Sequence, residues 1–554
     1  MNRTEHLQRL RTEVFDLCII GGGASGAGCA LDAALRGLKV ALVEKTDFAA
    51  GTSSRSTKLI HGGVRYLEQA FKNLDFAQLR QVRHGLSERH TVLTNAPHLA
   101  HPLPLLTPVF SWWEGMYLRI GLWLYDWFAA RKDQLPKSRW LSRAEALRRM
   151  PGLSPRIHSA VLYYDGQLDD ARYCLAIVQS AAEAGAAVAN HLEVVGFQKN
   201  MQGQLHSVSL RDDLQNDQFE LRARLFLNCT GPFADSVRGL ANPNLTPRIR
   251  ASKGVHVVLP AAISGSMDAM LIPKTPDGRM VFVVPFEGQL LLGTTDTDYP
   301  NVGQEPCLEA TEVDFLLETL QPFVAAKLDK HQVKAGFGGL RPLLVGRAPQ
   351  SEHTANHNKR KSTKRLLRDH EVEYDAASGL LSLLGGKWTT YRLMARDAVD
   401  VAGELLGTTA KCSTAKHLLV GAAGFVPEDW KKLVEIYGFE VGVAQHLHQK
   451  YGNRASRVGD LAKTDPTLAE RLHPAFPFIR AEVVYAAHHE MVGTPRDFLA
   501  RRIRLEMLDW QAAQEIIPLV VNLLGKELHW SETTMLESAR DYHTLLQHFQ
   551  DHLR

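Results

Sequence analysis

Cysteine is scarce in this sequence, and closely spaced cysteines are missing altogether. The chain has 554 residues and six cysteines, of which no two form a C-x-x-C pair. Zinc ribbons, iron–sulfur clusters and disulfide scaffolds use closely spaced cysteines. The sequence therefore predicts no metal site, no disulfide framework and a reducing compartment. The six are Cys18, Cys29, Cys174, Cys229, Cys307 and Cys412.

Long apolar runs and a large net charge are also missing. No apolar run approaches the roughly 20 residues that span a bilayer, and the polar, charged residues 1–13 do not resemble a signal peptide. The 64 basic and 60 acidic residues leave a net charge of +4, which is too small to indicate nucleic-acid binding. These absences favour a cytoplasmic protein, either free or resting on an anionic membrane.

The strongest positive feature is a strand, a glycine turn, a helix and a second strand in residues 15–45, FDLCIIGGGASGAGCALDAALRGLKVALVEK. Gly21, Gly23 and Gly26 fit G-x-G-x-x-G, which allows a tight turn and close approach to a pyrophosphate at the helix N-terminus. Glu44, about 20 residues on, can accept hydrogen bonds from both ribose hydroxyls and would repel a 2′-phosphate. The unit predicts the adenosine of FAD or NAD.

The next segment favours FAD over NAD. A nicotinamide fold would normally continue with further strand–helix repeats, but residues 46–66 read TDFAAGTSSRSTKLIHGGVRY. Glycines and small hydroxyls without a hydrophobic period indicate an ordered loop along an extended ligand. An elongated FAD, with its ring deep in the protein, suits that loop.

The pattern along the chain predicts an α/β fold with three parts. A Rossmann-type FAD-binding domain is interleaved with a β-rich substrate domain, and an all-α C-terminal domain follows. The predicted limits are 14–95, 160–250 and 336–404 for FAD binding, 96–159 and 251–335 for substrate, and 405–554 for the helical domain.

Several local expectations accompany this division. We predict a helix over 67–96, a proline-broken segment after it, a hairpin with a Glu-Gly turn in MVFVVPFEGQLLLGTTD, and a helix in PRDFLARRIRLEMLDWQ that starts at Thr494-Pro495. Residues 353–370 carry six basic residues and are predicted to form a solvated loop, with a functional basic patch as the alternative.

Six motifs then occur in a recognisable order. GTSSRSTKLIHGGVRYLE, NCTGPFADS, KGVHVVLP, LLGTTDTDY, GLRPL and LLGGKWTTYR together resemble the FAD-dependent glycerol-3-phosphate dehydrogenase family. The resemblance covers about residues 14–400 and extends more loosely into AEVVYAAHHEM and LARRIRLEMLD. It implies oxidation of sn-glycerol 3-phosphate to dihydroxyacetone phosphate by hydride transfer to FAD, with electrons passing to a membrane quinone.

The implied substrate carries a phosphate, which requires a cationic pocket. Arginine matches phosphate oxygens with a two-pronged fork, and lysine adds a point charge. Arg65, Arg341 and Lys387 match the family's cationic positions, and Tyr66 and Thr295 can supply hydroxyl groups. Each of these cations follows glycines in an otherwise apolar or small-residue loop. This position favours contact with the substrate over an ordinary surface charge.

Oxidation at C2 also requires a group that removes the hydroxyl proton. Histidine suits a general base near neutral pH, and the resemblance points to His256 in KGVHVVLP. His61 is the other candidate, although its neighbouring glycines suggest that it lines the flavin. A third alternative is that Arg341 polarises the hydroxyl while water takes the proton.

The resemblance also implies which residues hold the cofactor. The glycine turn and Glu44 would bind the ADP part, hydroxyl groups after Gly51 would bond phosphate or ribityl oxygens, and a second helix N-terminus would stabilise reduced flavin. The predicted set is Gly21, Gly22, Gly23, Gly26, Glu44, Thr52, Ser53, Ser54, Lys58, Leu59, His61, Gly231, Gly386 and Lys387, with no metal ligand.

The aromatic run 112–128, WWEGMYLRIGLWLYDWF, has two readings. Tryptophan and tyrosine favour the lipid headgroup level, but the same residues at helical spacing also form protein cores. The resemblance favours peripheral attachment to the inner face of the cytoplasmic membrane, with a homodimer as the assembly. The aromatic and basic residues concerned are Trp112, Trp113, Trp123, Trp127, Arg119, Arg131 and Lys132.

Three other functions compete with this reading. An FAD amine or amino-acid oxidase would bind a carboxylate and need fewer cations, and a soluble glycerol-3-phosphate oxidase would pass electrons to oxygen. A noncatalytic flavin-binding regulator would need the pocket without the basic cluster. The number of cations in glycine-bordered loops favours the phosphate substrate, and the lack of an evident long insertion favours the dehydrogenase.

Overall fold

Two β-sheets and a helical C-terminal region make up the fold. A computed structural model describes residues 1–62, 76–129, 135–275, 278–346 and 370–553. The α/β class with a helical C-terminal part is confirmed. In chain order the strands are β1 Val14–Ile20, β2 Val40–Val43, β3 Leu59–Ile60, β4 Ala100–Val109, β5 Arg139–Ser142, β6 Ser159–Leu168, β7 Ala187–Ala189, β8 Leu192–Lys199, β9 Leu205–Asp212, β10 Asp217–Asn228, β11 Ile249–Pro260, β12 Ala269–Ile272, β13 Val281–Phe286, β14 Gln289–Gly293, β15 Thr297–Asp298, β16 Ala335–Leu344, β17 His370–Asp375 and β18 Leu380–Gly385.

Helices cover the faces of both sheets and form the last part of the chain. Short apolar stretches of α2 pack on β1 and β2, as the small-residue sequence ASGAGCALDAAL allows. The helices are α1 Arg3–Thr12, α2 Ala24–Leu35, α3 Phe76–Asn95, α4 Trp112–Ala129, α5 Arg143–Arg149, α6 Asp170–Glu183, α7 Ala234–Ala241, α8 Ala310–Leu320, α9 Tyr391–Leu406, α10 Trp430–Tyr437, α11 Val441–Tyr451, α12 Ala455–Thr464, α13 Arg480–His489, α14 Leu505–Leu508, α15 Trp510–Leu528 and α16 Glu532–Asp551.

The first sheet has the order β17-β18-β10-β1-β2-β7, with β8 and β9 attached to β10. Strand β1 runs parallel to both β2 and β10. All three strands are buried at their carboxyl ends, and the carboxyl end of β1 leads into the glycine turn. The carboxyl ends of β1, β2 and β10 therefore meet at one edge, which is where α/β sheets bind ligands. The predicted strand–turn–helix–strand unit is confirmed.

The second sheet has the order β15-β11-β14-β13-β12-β4-β6-β3, with β16 paired to β11 and β5 paired to β6. The predicted hairpin is confirmed as β13 and β14, whose turn residues Glu287 and Gly288 both have positive φ. One face of the sheet packs on α8, and the other packs on the C-terminal helices. The C-terminal region thus covers the sheet face that also carries the candidate active site.

The predicted domain limits stay a proposal, but three strands lie differently from them. Strands β3, β6 and β16 fall within ranges predicted for FAD binding, and all three pair in the second sheet. Each of these strands lies next to a segment that passes from one sheet to the other. A boundary predicted from composition therefore assigns the strand to the wrong sheet.

The proline-broken segment is strand β4, which corrects the prediction. It pairs along its whole length with β6, whereas β12 pairs only with Leu105 and Leu106. Proline lacks an N–H donor and is tolerated where a strand has a free side. Pro102, Pro104 and Pro108 lie where, among the described residues, β6 is the strand paired with β4.

The helix predicted from Thr494-Pro495 is confirmed at its start, where Pro495 and Arg496 are α-helical, and is wrong in its continuation. Residues Asp497–Arg502 form a π-helical turn, Arg504 has a φ of 69°, and the short helix α14 follows. The predicted helix 67–96 is confirmed for Phe76–Asn95, and its first part lies outside the described residues. The predicted loop with basic residues at 359–368 lies outside them as well.

In the described part of the chain, no helix is both long enough and apolar enough to cross a bilayer.

Candidate active site

The glycine turn after β1 has the close packing that its motif predicts. Gly21 has a φ of 108°, and a Cβ added at Gly26 would lie 1.8 Å from the Gly21 carbonyl oxygen. A Cβ at Gly22 would lie 2.7 Å from Phe48 and 2.8 Å from Glu44. The backbone can adopt this path only without side chains. The turn and the N-terminus of α2 therefore fit the pyrophosphate of a dinucleotide.

Glu44 lies at the end of β2, beside the glycine turn. Its carboxylate accepts hydrogen bonds from the Gly22 N–H at 2.6 Å and from the Thr46 N–H at 3.0 Å. Burial raises the pKa of Glu44, although the hydrogen bonds from Thr46 and Gly22 oppose the shift. These donors fix the carboxylate at the position where the motif places a ribose.

The loop after β2 is held between the two sheets. The Ser53 hydroxyl accepts a hydrogen bond from the Ala24 N–H at the start of α2, and the Ser53 carbonyl accepts one from Trp388 Nε1. The Thr52 hydroxyl donates to the Leu340 carbonyl of β16. This path brings the loop from the cofactor turn onto the second sheet.

The hydroxyls predicted to bind FAD therefore differ in their surroundings. Ser53 faces the N-terminus of α2, as predicted. Thr52 and Ser54 donate to backbone carbonyls, those of Leu340 and Gly51, so their hydroxyl protons are already used within the protein. Leu59 is buried in β3. Their cofactor roles stay predictions, and Ser53 has the most suitable placement.

Lys58 is a buried structural cation in this geometry. Its Nζ donates to the Ser54 carbonyl and to Asp170 Oδ2, both at 2.7 Å, and the side chain has no solvent exposure. Arg504 donates to the same Ser54 carbonyl and to Asp170 Oδ1. Burial and the Arg504 charge lower the pKa of Lys58 to about 7, although Asp170 opposes the shift. Lys58 thus holds the loop instead of presenting its charge to a ligand.

A row of residues crosses four strands of the second sheet beneath this loop. In register, Phe282 of β13 lies beside Gly293 of β14, then His256 of β11 and Phe337 of β16. Residues directly opposite share a face. A Cβ at Gly293 would lie 2.2 Å from the His256 ring, so this glycine makes room for the imidazole. The exposed His61 stacks on Phe282 at the end of the row.

His256, the first candidate for the general base, is buried in this row, and its catalytic role stays a prediction. The ring is 3% exposed, stacks on Phe337 with centroids 4.8 Å apart, and places Nε2 2.9 Å from the Thr57 hydroxyl. Burial, together with the positive charges of Lys58 and Arg341, lowers the pKa of His256 well below its usual value. The imidazole is therefore neutral at physiological pH and able to accept a proton.

Arg341 lies on the same face, two pleat repeats along β16 from Phe337 of the row. It is two positions beyond Gly339 on β16, and its guanidinium passes over Gly254, where an added Cβ would lie 2.3 Å from Nη2. The guanidinium donates to the Thr294 hydroxyl and the Thr295 carbonyl, both at 3.0 Å. Its side chain remains 28% exposed. Arg341 thus brings positive charge to the side of His256.

Thr295 occupies a different position from the one predicted. Its hydroxyl accepts a hydrogen bond from the Val255 N–H and lies 3.4 Å from Glu312, and the residue is buried. The neighbouring Thr294 contacts Arg341 instead. The alternation of side chains along the chain turns Thr295 inward, so Thr294 is the threonine suited to the substrate pocket.

The remaining predicted residues lie on the first sheet or outside the described residues. Gly386 follows β18 with a φ of 97°, and Lys387 precedes the turn that leads into α9. Gly231, with a φ of 57°, follows β10 beside the glycine turn. Arg65 and Tyr66 lie outside the described residues, so their substrate roles stay predictions.

Two kinds of contributor were missed at the sequence level. Thr57 lies within the quoted motif but was not singled out as the partner of His256. Arg501 and Arg502, in the C-terminal region, pair with the buried Asp47 of the cofactor loop at 2.6 and 2.7 Å. In the sequence, the arginines among the apolar residues of FLARRIRLEML could have indicated buried ion pairs, because a buried arginine needs a buried partner.

Two family models match most of the chain. A family model described as FAD dependent oxidoreductase matches residues 16–392, and one described as the C-terminal domain of alpha-glycerophosphate oxidase matches residues 412–535. The chain is 42% identical over 543 residues to a probable mitochondrial glycerol-3-phosphate dehydrogenase of Caenorhabditis elegans, covering 96% of this chain and 73% of that protein.

A plant protein and a solved bacterial structure are similar over nearly the same span. A mitochondrial glycerol-3-phosphate dehydrogenase of Arabidopsis thaliana is 39% identical over 562 residues, which are 97% of this chain and 87% of that protein. The crystal structure of the Bacillus halodurans glycerol-3-phosphate dehydrogenase complexed with FAD has a TM-score of 0.79 at 27% identity, covering 98% of this chain and 97% of that one. The chain therefore belongs to the FAD-dependent oxidoreductases and, within them, to the glycerol-3-phosphate dehydrogenase family.

Proposed function

We propose that this protein oxidises sn-glycerol 3-phosphate to dihydroxyacetone phosphate and passes the electrons to a membrane quinone. The observation that carries the proposal is the placement of Arg341 and the neutral His256 on one face of the second sheet, under a loop that starts at the cofactor turn. The relatives' names supply the substrate, and the site's charge and proton acceptor fit its chemistry.

Each group of the site would take one part of the reaction. Arg341 would hold the phosphate through charge-assisted hydrogen bonds, with Lys387 and Arg65 as the further predicted cations. His256 would take the C2 hydroxyl proton on a ring nitrogen, and Thr57 would fix the orientation of the ring. Bound FAD would accept the hydride from C2. Gly254 and Gly293 leave room for the Arg341 guanidinium and the His256 ring, and Gly339 leaves room for Arg55.

An anaerobic titration of the purified holoprotein with sn-glycerol 3-phosphate tests both half-reactions. We expect the oxidised flavin band to bleach and to return when a soluble quinone is added. Return only with oxygen would favour the oxidase reading. No bleaching by the phosphate but bleaching by amino acids would favour the amino-acid oxidase, and no bleaching at all would favour a noncatalytic flavin protein.

Substitution of Arg341 by methionine is expected to weaken substrate binding by about 10- to 100-fold. A hydrogen bond to a charged group contributes about 1.5–3 kcal/mol, and methionine removes both the charge and the donors. The KM for sn-glycerol 3-phosphate and the inhibition constant of inorganic phosphate should rise together. Arg250→Met is the matched control, because Arg250 lies on neighbouring β11 and pairs with Asp298 at the surface. A KM unchanged in Arg341→Met would contradict the phosphate role.

The first part of helix α4 supports the proposed attachment to a membrane surface. One face packs inward, since a Cβ at Gly115 would meet the Trp140 ring at 2.2 Å. The opposite face exposes Trp112, Trp113 and Tyr117, with Trp113 at 76%. Both interpretations of the aromatic run therefore apply: one face of α4 packs into the protein, and the other exposes aromatic side chains that suit a lipid surface. The side chains of Trp123 and Trp127, and residues Arg131 and Lys132, lie outside the described residues.

The Trp113→Glu variant is expected to reduce partitioning onto anionic vesicles by roughly tenfold or more, because burial of a large apolar side chain contributes about 1.5–3 kcal/mol. Co-sedimentation with vesicles measures the change. Leu536→Glu is the control, since Leu536 is 73% exposed and lies on a different helix, α16. Equal partitioning of wild type and Trp113→Glu would place any membrane contact elsewhere. Localisation at the cytoplasmic membrane and a homodimer remain predictions.

A further inference from the structure

Three potential metal ligands meet at the C-terminal end of helix α16. Cys307, which precedes α8 in the second-sheet half, lies beside His548 and His552. One ligand atom from each residue lies within 4.8 Å of the others. The two histidines are four residues apart, so they project from one side of the helix, and their ring centroids are 4.4 Å apart.

Hydrogen bonding among the described residues does not explain why these side chains cluster. Within the part of the chain that the structure describes, neither imidazole makes a hydrogen bond to another side chain. The Cys307 thiol has one weak contact, 3.6 Å from the Glu305 carbonyl. The helix does not need the two imidazoles for packing, since Tyr542, Leu546 and Phe549 bury its apolar side.

The donor set matches the preferences of zinc. Thiolate sulfur and imidazole nitrogen are the ligands that Zn²⁺ binds most often, with bond lengths of about 2.3 and 2.0–2.1 Å. In a tetrahedron these bonds place ligand atoms roughly 3.3–3.7 Å apart. Small side-chain rotations suffice to reach that spacing, because the ligand atoms already lie within 4.8 Å of one another, both histidines are exposed and the cysteine is half-buried.

We propose that Cys307, His548 and His552 form a zinc site with three protein ligands and a water molecule in the fourth position. On binding, the Cys307 thiol loses its proton to solvent and the thiolate bonds the metal. The site links α16 to the segment that carries Glu305. Glu305 in turn pairs with Arg55 of the cofactor loop and with Arg496 of the C-terminal region.

The position of this site explains why cysteine spacing did not predict it. Sequence rules for metal sites recognise ligands that are close along the chain. Here only His548 and His552 are close along the chain. The fold brings Cys307, which precedes α8, beside them. The proposal does not depend on the proposed reaction, because none of its ligands belongs to the candidate active site.

A metal titration of the chelator-treated holoprotein tests the proposal. We expect one equivalent of Zn²⁺ to bind and to raise the melting temperature. Co²⁺ in the same site should show a thiolate-to-metal charge-transfer band and tetrahedral d–d bands at wavelengths beyond the oxidised flavin. The separate variants Cys307→Ser and His552→Gln should each weaken Zn²⁺ by at least about tenfold, as even indirect ligand-shell changes do.

The controls use a cysteine and a histidine outside the cluster. Cys412→Ser and His543→Gln should leave the Zn²⁺ affinity unchanged, since His543 is exposed on the same helix. Flavin content and melting temperature in chelator show that each variant is folded. Absence of stoichiometric binding, a Co²⁺ spectrum without a thiolate band, or equal weakening by the control variants would overturn the proposal.

Discussion

Replacement of His256 by glutamine is expected to slow flavin reduction by sn-glycerol 3-phosphate by roughly 10²-fold or more. Glutamine can keep a hydrogen bond to the Thr57 hydroxyl, but it cannot accept a proton from the substrate. Rapid mixing under anaerobic conditions measures the reduction rate directly. The flavin content and the KM should change little, because the cofactor turn and Arg341 remain in place.

The pH dependence of that rate provides a second, independent signature. Burial and the charges of Lys58 and Arg341 lower the pKa of His256 well below 6.5. Substrate phosphate would neutralise Arg341, but burial and Lys58 remain. At saturating substrate we therefore expect the rate to stay constant as the pH falls to 6.5 and to decline only below it, as the ring becomes protonated. The decline should be missing in His256→Gln.

The control is a histidine in a similar setting outside the site. His101 lies on β4, bonds Gln167 and also has a pKa lowered by burial. His101→Gln should leave the reduction rate within about twofold of wild type, well below the smallest general-base effect. A near-wild-type rate in His256→Gln would eliminate this residue as the base, and His61→Gln would then be the next variant to measure.

The largest effect on stability is expected from Asp170→Asn, with a loss of about 3–5 kcal/mol in the free energy of unfolding. The carboxylate accepts from Lys58 Nζ at 2.7 Å, Arg504 Nη2 at 3.0 Å, and both the N–H and hydroxyl of Ser56. Asparagine keeps the shape but removes the negative charge that Lys58 and Arg504 share. Urea unfolding of the holoprotein measures the loss, and bound FAD should decrease with it.

A second substitution distinguishes charge imbalance from a simple loss of packing. Adding Lys58→Met to Asp170→Asn removes one unpaired cation, so the double variant should be more stable than the sum of the two single effects predicts. Strict additivity would contradict this explanation. Asp541→Asn is the surface control, because Asp541 and Arg540 are both more than two-thirds exposed and such pairs contribute little.

The parts of the fold that depend on neighbouring residues were predictable. Gly21, Gly23, Gly26 and Glu44 specify a local unit, since turn, helix and strand follow one another within 31 residues of sequence. The β13–β14 hairpin was predictable for the same reason. His256 required the family resemblance, because a single histidine in a strand carries no signal of the Gly293 gap or of the Thr57 hydroxyl that orient it.

Features that depend on distant partners were not predictable. The prolines of β4 argue against a strand until the sheet shows that, within the described ranges, only β6 pairs with β4 at those positions. The basic run before α14 looks like a helix, but its side chains bond Asp47 and Asp170 in the cofactor half. Thr294 and Thr295 are indistinguishable in the sequence, and only the direction of their side chains separates a pocket residue from a buried one.

The buried arginines of the C-terminal region have a consequence for the order of biosynthesis. Arg501, Arg502 and Arg504 complete the bonds of Asp47, Ser54 and Asp170, which belong to the loop after β2 or to its support. Arg504 follows Ser54 by 450 residues along the chain, so a ribosome makes that loop long before these arginines. We therefore expect the nascent chain to leave its nucleotide pocket unfinished until the arginines have been made, so that the vitamin-derived cofactor is captured only after that point.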